Sequence, residues 1–192
     1  MNKYQGMLRL VKELERLKNN TRTAWTSEGR TESVAEHSWR LAMFALVLED
    51  DFPDVDVNRV IRLGLVHDLG EAYEGDISAK IPIDPVEKLK KEEDALSKLL
   101  APLPENERQK ILALCREYNL GESPEAKLAK ALDKMETIIQ HNQGNNPGDF
   151  DYEFNLQYGQ AYTNYHPAIH RIREMIDEET RNRIRKEEQG NA

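Results

Sequence analysis

The sequence predicts an all-α protein, an orthogonal bundle of about seven or eight helices. Apolar residues recur at helical spacing along most of the 192-residue chain, as Met7, Leu10, Leu14 and Leu17 illustrate. Helix-start signals precede several of these stretches. By contrast, the sequence contains no run of alternating β-branched residues that a hairpin turn would close.

The helices can be assigned in order along the chain. The first carries the apolar stripe that begins at Met7, and the second spans Val34 to Leu48. This second helix is apolar around most of its circumference, which predicts a central position in the bundle. Asp56 is a suitable N-cap for the third helix. The pairs Asp84–Pro85 and Ser123–Pro124 each place a capping side chain before a proline, a pattern typical of helix starts.

The C-terminal half continues this pattern. A helix that contains Cys115 at an apolar position is expected to end at Gly121. Residues 141–165 are polar, aromatic and rich in Asn and Gly, which predicts a loop-rich segment with one short helix. Residues 166–188 then form a C-terminal helix. The length and the lack of internal repeats indicate a single domain over residues 1–192.

Composition limits the classes of partner. The formal net charge is −8 and the isoelectric point is near 5.3, so a nucleic acid polymer would be repelled on average. The longest apolar run is much shorter than the ~20 residues of a membrane span, and the N-terminus lacks a secretory signal. The single Cys115 cannot form an internal disulfide. We therefore expect a cytoplasmic protein with neither nucleic acid polymer nor membrane as its partner.

Two histidines and two aspartates are candidates for a metal site. His67 and Asp68 follow an apolar stretch that reads as a buried helix, where an ionised carboxylate needs a partner or a metal. His37 lies near the start of the central helix, and Asp133 lies within another apolar helix. Imidazole and carboxylate together suit several divalent metals, and helical bundles often build such sites in their cores. A helix-terminal hydrogen bond is the alternative role for the His–Asp pair.

Two further acids follow the His–Asp pair. Glu71 lies four residues after His67, so both can point to one side if the helix continues. A carboxylate near a metal, but not bound to it, can serve as a general acid or base. A solvated surface position is the alternative for Glu71, and Glu74 is its rival. Asp76 follows a glycine in a turn, where it can bind a substrate hydroxyl or cap a short helix.

The order His37, His67–Asp68 and Asp133 resembles the signature of the HD-domain metal-dependent phosphohydrolases. Two longer strings, RTESVAEHS around His37 and LVHDLGEAYEGDI around His67, are more specific. They are similar to the branch that contains the 5′-deoxynucleotidases and the HD domain-containing proteins. The resemblance extends over about residues 8–140, and it implies the helical HD fold.

The resemblance also implies roles for individual residues. It implies a single divalent metal ion, which could be Mn, Co, Fe, Ni, Zn or Mg. The 5′-deoxynucleotidases of this family act as homodimers on small nucleotide substrates, so the resemblance implies the same for this chain. Matched by position, the metal ligands implied for this chain are His37, His67, Asp68 and Asp133. The resemblance implies that Glu71 is the general acid or base. It also implies that Asp76 lies near the sugar and the scissile phosphate, and that Arg22 contacts the nucleotide phosphate.

The activity that this resemblance implies is removal of the 5′-phosphate from (deoxy)ribonucleoside monophosphates. Trp25 comes three residues after Arg22, as in the HD domain-containing relatives, and this leaves selection between deoxyribose and ribose open. One alternative is another HD phosphohydrolase that acts on dNTPs or other nucleotides. A second alternative is a non-catalytic nucleotide-binding HD module.

Overall fold

The computed structural model describes residues 2–76 and 84–190. Seven helices of ten or more residues dominate this described part, which confirms the all-α prediction. In chain order the elements are α1 (Lys3–Glu13), α2 (Arg16–Asn19), β1 (Thr21–Trp25), β2 (Thr31–Ser33), α3 (Val34–Val47), a 3₁₀ turn (Glu49–Asp51), α4 (Val57–Val66), α5 (Glu71–Glu74), α6 (Pro85–Leu100), α7 (Glu105–Leu120), α8 (Pro124–Gln143), α9 (Glu153–Gln157), α10 (Gln160–Thr163) and α11 (Pro167–Gly190).

Side-chain caps begin three of these helices where the sequence predicts them. The carboxylates of Asp56 and Asp84 accept hydrogen bonds from the backbone N–H groups of the first turns of α4 and α6. Ser123 caps α8 in the same way. Gly121 ends α7 with φ of +65°, a left-handed conformation that glycine adopts without a steric penalty. Local chemistry therefore determines these boundaries.

A capping box starts α3 just before His37. The Ser33 hydroxyl accepts a hydrogen bond from the backbone N–H of Glu36 at 3.2 Å, and the Glu36 carboxylate accepts one from the backbone N–H of Ser33 at 2.9 Å. Arg30 holds the same carboxylate with an Nη2–Oε1 distance of 2.6 Å. These contacts satisfy backbone donors that a helix N-terminus otherwise leaves without partners.

A small β-ribbon is the element that the sequence analysis missed. β1 and β2 pair antiparallel, with Thr21 opposite Ser33 and Trp25 opposite Thr31. Strands of five and three residues carry too little alternation to show in a sequence pattern. The ribbon matters because it places Arg22 beside the start of α3.

The predicted central position of α3 is only half correct. Leu41 and Ala45 are buried against α4 and α8, but Trp39 and Val47 on the opposite face are 63% and 70% exposed. Gly64 allows the close packing of α4 on α3, because an added Cβ there would lie 3.1 Å from the Cγ of Leu41. One apolar face of α3 thus packs against the core, and the opposite apolar face is exposed to solvent.

α8 occupies the centre of the main apolar core, packed between α3, α4, α7 and α11. Leu128, Leu132, Met135 and Ile138 on this helix are fully buried. A second apolar core joins α1, α6 and α7, and it contains the buried Cys115, as predicted. Burial raises the pKa of the Cys115 thiol to about 12, which keeps it protonated at neutral pH.

Two predicted segments differ in detail. The first predicted helix is divided into α1 and α2, and the 141–165 segment holds two short helices, α9 and α10, instead of one. The C-terminal helix spans Pro167–Gly190 and is rich in charged residues. Within residues 2–76 and 84–190, no helix combines the length and apolar character that a membrane span requires.

The capping box gives a stability prediction. Replacing Ser33 with alanine removes the side-chain acceptor at the start of α3, so we expect Ser33→Ala to lower the free energy of unfolding by ~1 kcal/mol. Urea denaturation followed by circular dichroism measures this change. Ser27→Ala, on an exposed turn of the connection between β1 and β2, is the matched control and should leave stability unchanged. Equal stability of both variants would contradict the assigned cap.

Candidate metal and phosphate site

A cavity of about 520 Å³ opens beside the N-terminal strand of the ribbon. Its walls come from β1, the turn after α4, the start of α5, the middle of α8 and the segment between α8 and α11. The size lies within the ~300–1,000 Å³ range of small-molecule sites. Arg22, Asp68 and Asp133 border one end of this cavity.

His67 directs its Nε2 atom towards Asp68 and Asp133. The residue caps the C-terminus of α4, and its Nδ1 lies 2.8 Å from the carbonyl oxygen of Gly64. Since that carbonyl can only accept, Nδ1 carries the proton and the lone pair of the neutral ring lies on Nε2. The Nε2 atom is buried, and its nearest polar neighbour among the ion pairs of the described residues is Oδ2 of Asp68 at 3.0 Å. A metal ion is the partner that this arrangement suits.

His37 is oriented in the same way. It is completely buried on α3, and its Nδ1 makes a short hydrogen bond to the carboxylate of Glu136. Arg40 donates from Nε to the other oxygen of that carboxylate at 2.6 Å. Burial and the nearby Arg22 would lower the pKa of His37, but Glu136 and Asp133 outweigh them and raise it to about 10. The Nε2 atom of His37 lies 3.2 Å from Oδ1 of Asp133 and 3.9 Å from Oδ2 of Asp68, the two carboxylates that also lie near Nε2 of His67.

Asp133 supplies a carboxylate from α8. Its Oδ1 atom lies 3.2 Å from Nε2 of His37 and 3.9 Å from Nε2 of His67. Its Oδ2 atom accepts a hydrogen bond from the Tyr118 hydroxyl at 2.6 Å and lies 2.9 Å from Nζ of Lys134. Burial alone would raise the pKa of Asp133, yet Lys134 and the imidazoles hold it well below its ordinary value. Asp133 is therefore ionised, with Oδ1 facing the two histidines.

Asp68 completes the group. Its Oδ2 lies 3.0 Å from Nε2 of His67 and 3.9 Å from Nε2 of His37. Burial would raise the pKa of this carboxyl too, but His67, His37 and Arg22 hold it below its ordinary range. Asp68 is thus an anion at neutral pH.

These four residues fit a divalent metal. The donor atoms of His37, His67 and Asp133 all lie within 4.8 Å of one another, and Asp68 is in contact with both imidazoles. Two ligands at ~2.1 Å from one ion are separated by ~3–4 Å. The imidazole Nε2 atoms lie between 3.0 Å and 3.9 Å from the carboxylate oxygens, which matches this separation. Glu32, His37 and Glu136 form a second close group. Because Glu136 there binds Nδ1 of His37, it supports that ring from outside.

Arg22 lies at the same end of the cavity on β1. Its guanidinium lies 3.5 Å from both the Asp68 and the Glu32 carboxylates, and it donates to the Thr137 hydroxyl at 3.0 Å. Burial would lower the pKa of Arg22, but Asp68 and Asp76 raise it above its ordinary value. The site thus holds a fixed cation next to the candidate metal ligands.

Glu71 and Asp76 both border the cavity, but helix continuation does not place Glu71 there. α4 ends at Val66, and Glu71 begins the short α5 after a turn. The turn brings Glu71 to the cavity wall near Asp68. The side chain of its rival Glu74 and residues 77–83 lie outside the described residues.

Residues 14–173 match the sequence profile of the HD domain. The chain belongs to the HD domain family. A mouse protein named 5′-deoxynucleotidase HDDC2 is 39% identical over 140 residues, which cover 72% of this chain and 69% of that protein. The fission yeast 5′-deoxynucleotidase hdd1 is 33% identical over 133 residues, with 66% of each chain covered.

Solved structures agree with the HD fold. A Magnetospirillum magnetotacticum protein described as a predicted metal-dependent phosphohydrolase superposes with a TM-score of 0.76 at 23% identity, over 95% of this chain and 96% of that one. A conserved hypothetical protein of Pyrococcus furiosus has a TM-score of 0.58 at 26% identity, over 91% and 99% of the two chains. At 23% identity, the similarity to the Magnetospirillum magnetotacticum protein indicates the fold and not the activity.

The sequence analysis missed several residues of this HD domain site, among them Glu136, Tyr118 and Lys134. Glu136 contacts His37, and Tyr118 and Lys134 contact Asp133. Glu136 lies about one helical turn after Asp133 on the apolar helix α8, so the spacing of the two acids is a signal for it. Tyr118 lies on another helix, and its contact with Asp133 has no signature in the sequence.

Glu136 is expected to support metal binding through His37. Glu136→Gln removes the negative charge behind the imidazole, and loss of such an outer contact lowers metal affinity by ~10–100-fold. Titration calorimetry with Mn²⁺ or Co²⁺ measures the dissociation constant. Glu179→Gln, on the exposed face of α11, provides the matched control. Equal affinity in both variants would show that Glu136 has no such role.

Proposed function

We propose that this protein is a metal-dependent phosphohydrolase that removes the 5′-phosphate from (deoxy)ribonucleoside monophosphates. One observation carries the proposal: two imidazole Nε2 atoms and two carboxylates meet beside a buried arginine, and the arginine and both carboxylates border one cavity. The names of the mouse and fission yeast relatives support the same activity.

The residues that would hold the ion are His37, His67, Asp68 and Asp133. A divalent metal at this position supplies positive charge that stabilises the negative charge developing on the phosphoryl group. The ligand types suit Mn, Co, Fe, Ni, Zn or Mg, and the amounts available in the cell decide among them.

Arg22 binds and orients the phosphate in this proposal. The guanidinium is planar and permanently charged, and its geometry suits two phosphate oxygens at once. Thr137 and Glu32 hold it in place, so its orientation exists before substrate arrives. A fixed cation lowers the entropy cost of positioning the phosphoester bond.

Glu71 moves the proton. Hydrolysis forms a bond between a water oxygen and phosphorus, breaks the bond to the 5′-oxygen and transfers one proton from water to the leaving oxygen. Glu71 lies in the cavity wall next to Asp68, where its carboxylate can take this proton or its carboxyl can donate it. Asp76 also borders the cavity, and in this proposal it contacts the sugar.

We also propose a cytoplasmic homodimer. The exposed apolar residues Trp39, Met43 and Val47 on one face of α3 supply a surface for self-association. The single, buried and free cysteine favours a reducing compartment.

A substrate panel tests the activity. The protein is loaded in turn with Mn²⁺, Co²⁺, Mg²⁺ and Zn²⁺ and incubated with dAMP, dTMP, AMP and dATP. We expect release of orthophosphate from the monophosphates, and the ratio of dAMP to AMP turnover measures sugar selection. Tripolyphosphate released from dATP, without orthophosphate from any monophosphate, would instead support a triphosphohydrolase. No product with any metal would support a binding module.

Two variants separate metal binding from proton transfer. Asp68→Asn is expected to lower kcat/KM for dAMP by ~10³-fold or more, since it weakens binding of an ion whose charge contributes several kcal/mol. Glu71→Gln is expected to lower kcat by ~10²–10⁴-fold and to keep the metal.

Steady-state kinetics and metal analysis of the purified variants measure both effects, with Glu179→Gln as control. Full activity of Asp68→Asn would overturn the proposed ligand set. Loss of metal from Glu71→Gln would make that residue a ligand.

A further inference from the structure

We infer that the aromatic part of the cavity wall is a nucleobase subsite. This inference rests on the proposed function and adds to it how the rest of the substrate is recognised. The aromatic wall consists of Trp25 from β1 and Phe150, Phe154 and Tyr158 from the segment between α8 and α11. The four rings border the same cavity as Arg22, Asp68 and Asp133.

The rings form two pairs. Trp25 and Phe150 meet edge to face, with centroids 6.1 Å apart. Phe154 and Tyr158 stack with centroids 5.2 Å apart and an angle of 29° between their planes. All four rings are half-buried, as expected for side chains that line a cavity instead of filling the core. Aromatic rings at such a position can stack on the flat face of a base.

The segment that carries Phe150, Phe154 and Tyr158 is held in place by buried polar contacts. The guanidinium of Arg173 on α11, which is 3% exposed, donates to the carbonyl oxygens of Tyr158 and Asn155 at 2.6 Å and 2.8 Å. The Asn155 side chain also bonds Nδ1 of His141 on α8 at 2.8 Å. The aromatic wall is therefore built before a ligand arrives, which reduces the entropy cost of binding.

Charge sets the direction in which a nucleotide would enter. Arg22 and Lys134 are cations beside the proposed metal ligands Asp68 and Asp133, and Nζ of Lys134 also lies 5.3 Å from the centre of the Tyr158 ring. On the aromatic side, Asp149 and Asp151 flank Phe150 in the sequence and border the cavity. Those acids repel a phosphate, whereas Arg22, together with a metal ion held by Asp68 and Asp133, would attract it. A nucleoside monophosphate would thus point its phosphate to Arg22 and its base to the aromatic wall.

This chemistry recognises the flat face of a base and not its hydrogen-bonding edge. Every nucleobase has such a face, so stacking tolerates different bases. A sugar phosphate without a base can use the Arg22 end of the cavity but not the aromatic wall. The comparison of dAMP with 2-deoxyribose 5-phosphate therefore isolates the subsite.

The test uses Phe154→Ala in the full, metal-loaded chain. Removal of one stacking ring is expected to weaken dAMP binding by about 5- to 150-fold. The same change should leave the kinetics and binding of 2-deoxyribose 5-phosphate within about twofold of the unchanged protein. Phe154→Tyr, which keeps the ring, should restore dAMP binding. Kinetics give kcat and KM, and calorimetry with Glu71→Gln gives affinity independently of turnover.

Tyr165→Ala is the control, because Tyr165 lies in the same connection, is 42% exposed and does not border the cavity. Equal losses for both ligands in Phe154→Ala, or no loss for dAMP, would overturn the subsite. So would equal affinity of the unchanged protein for dAMP and 2-deoxyribose 5-phosphate. An unchanged protein that binds dAMP more tightly than the sugar phosphate, but hydrolyses neither, would overturn the proposed function and leave the subsite supported. Circular dichroism confirms that each variant is folded.

Discussion

The burial of acidic side chains on α8 is the constraint on which the rest of the site depends. Asp133 and Glu136 lie on a helix surrounded by apolar side chains, where an ionised carboxylate without partners would cost several kcal/mol. Each of these two carboxylates is paired with a side chain from another helix. His37 lies between the two acids and contacts both, one through each ring nitrogen. The imidazole of His37 therefore partners both buried carboxylates, besides being a candidate metal ligand.

The same contacts orient the site. Glu136 binds Nδ1 of His37, and the carbonyl oxygen of Gly64 binds Nδ1 of His67, so both rings direct Nε2 to one point. Tyr118 and Lys134 bind one oxygen of Asp133 and leave the other facing the histidines. Side chains held by two contacts lose little further freedom when an ion binds. Contacts with residues of the packed helices thus restrict the positions of the candidate ligand atoms.

The β-ribbon and the segment between α8 and α11 supply other parts of the cavity wall, a cation and a set of aromatic rings. The ribbon brings Arg22 into the floor of the cavity, where Thr137 and Glu32 hold it. The α8–α11 segment is anchored to α11 by Arg173 and supplies the aromatic wall. The cavity wall thus combines a fixed cation, Arg22, with aromatic rings, and these two features suit the phosphate and the base of a nucleotide.

Sequence alone determined the helical class, the caps at Asp56, Asp84 and Ser123, and the candidate residues His37, His67, Asp68 and Asp133. These features depend on contacts within a few residues or on a motif whose members keep a fixed order, so they can be read from the chain. Only the tertiary structure decided the β-ribbon, the exposed face of α3, and the contacts of Glu136 and Tyr118. His37 and Glu136 are 99 residues apart, and such a contact forms only when α3 and α8 pack together. Local patterns cannot specify it, because its free energy comes from excluding water between helices that are distant in the chain.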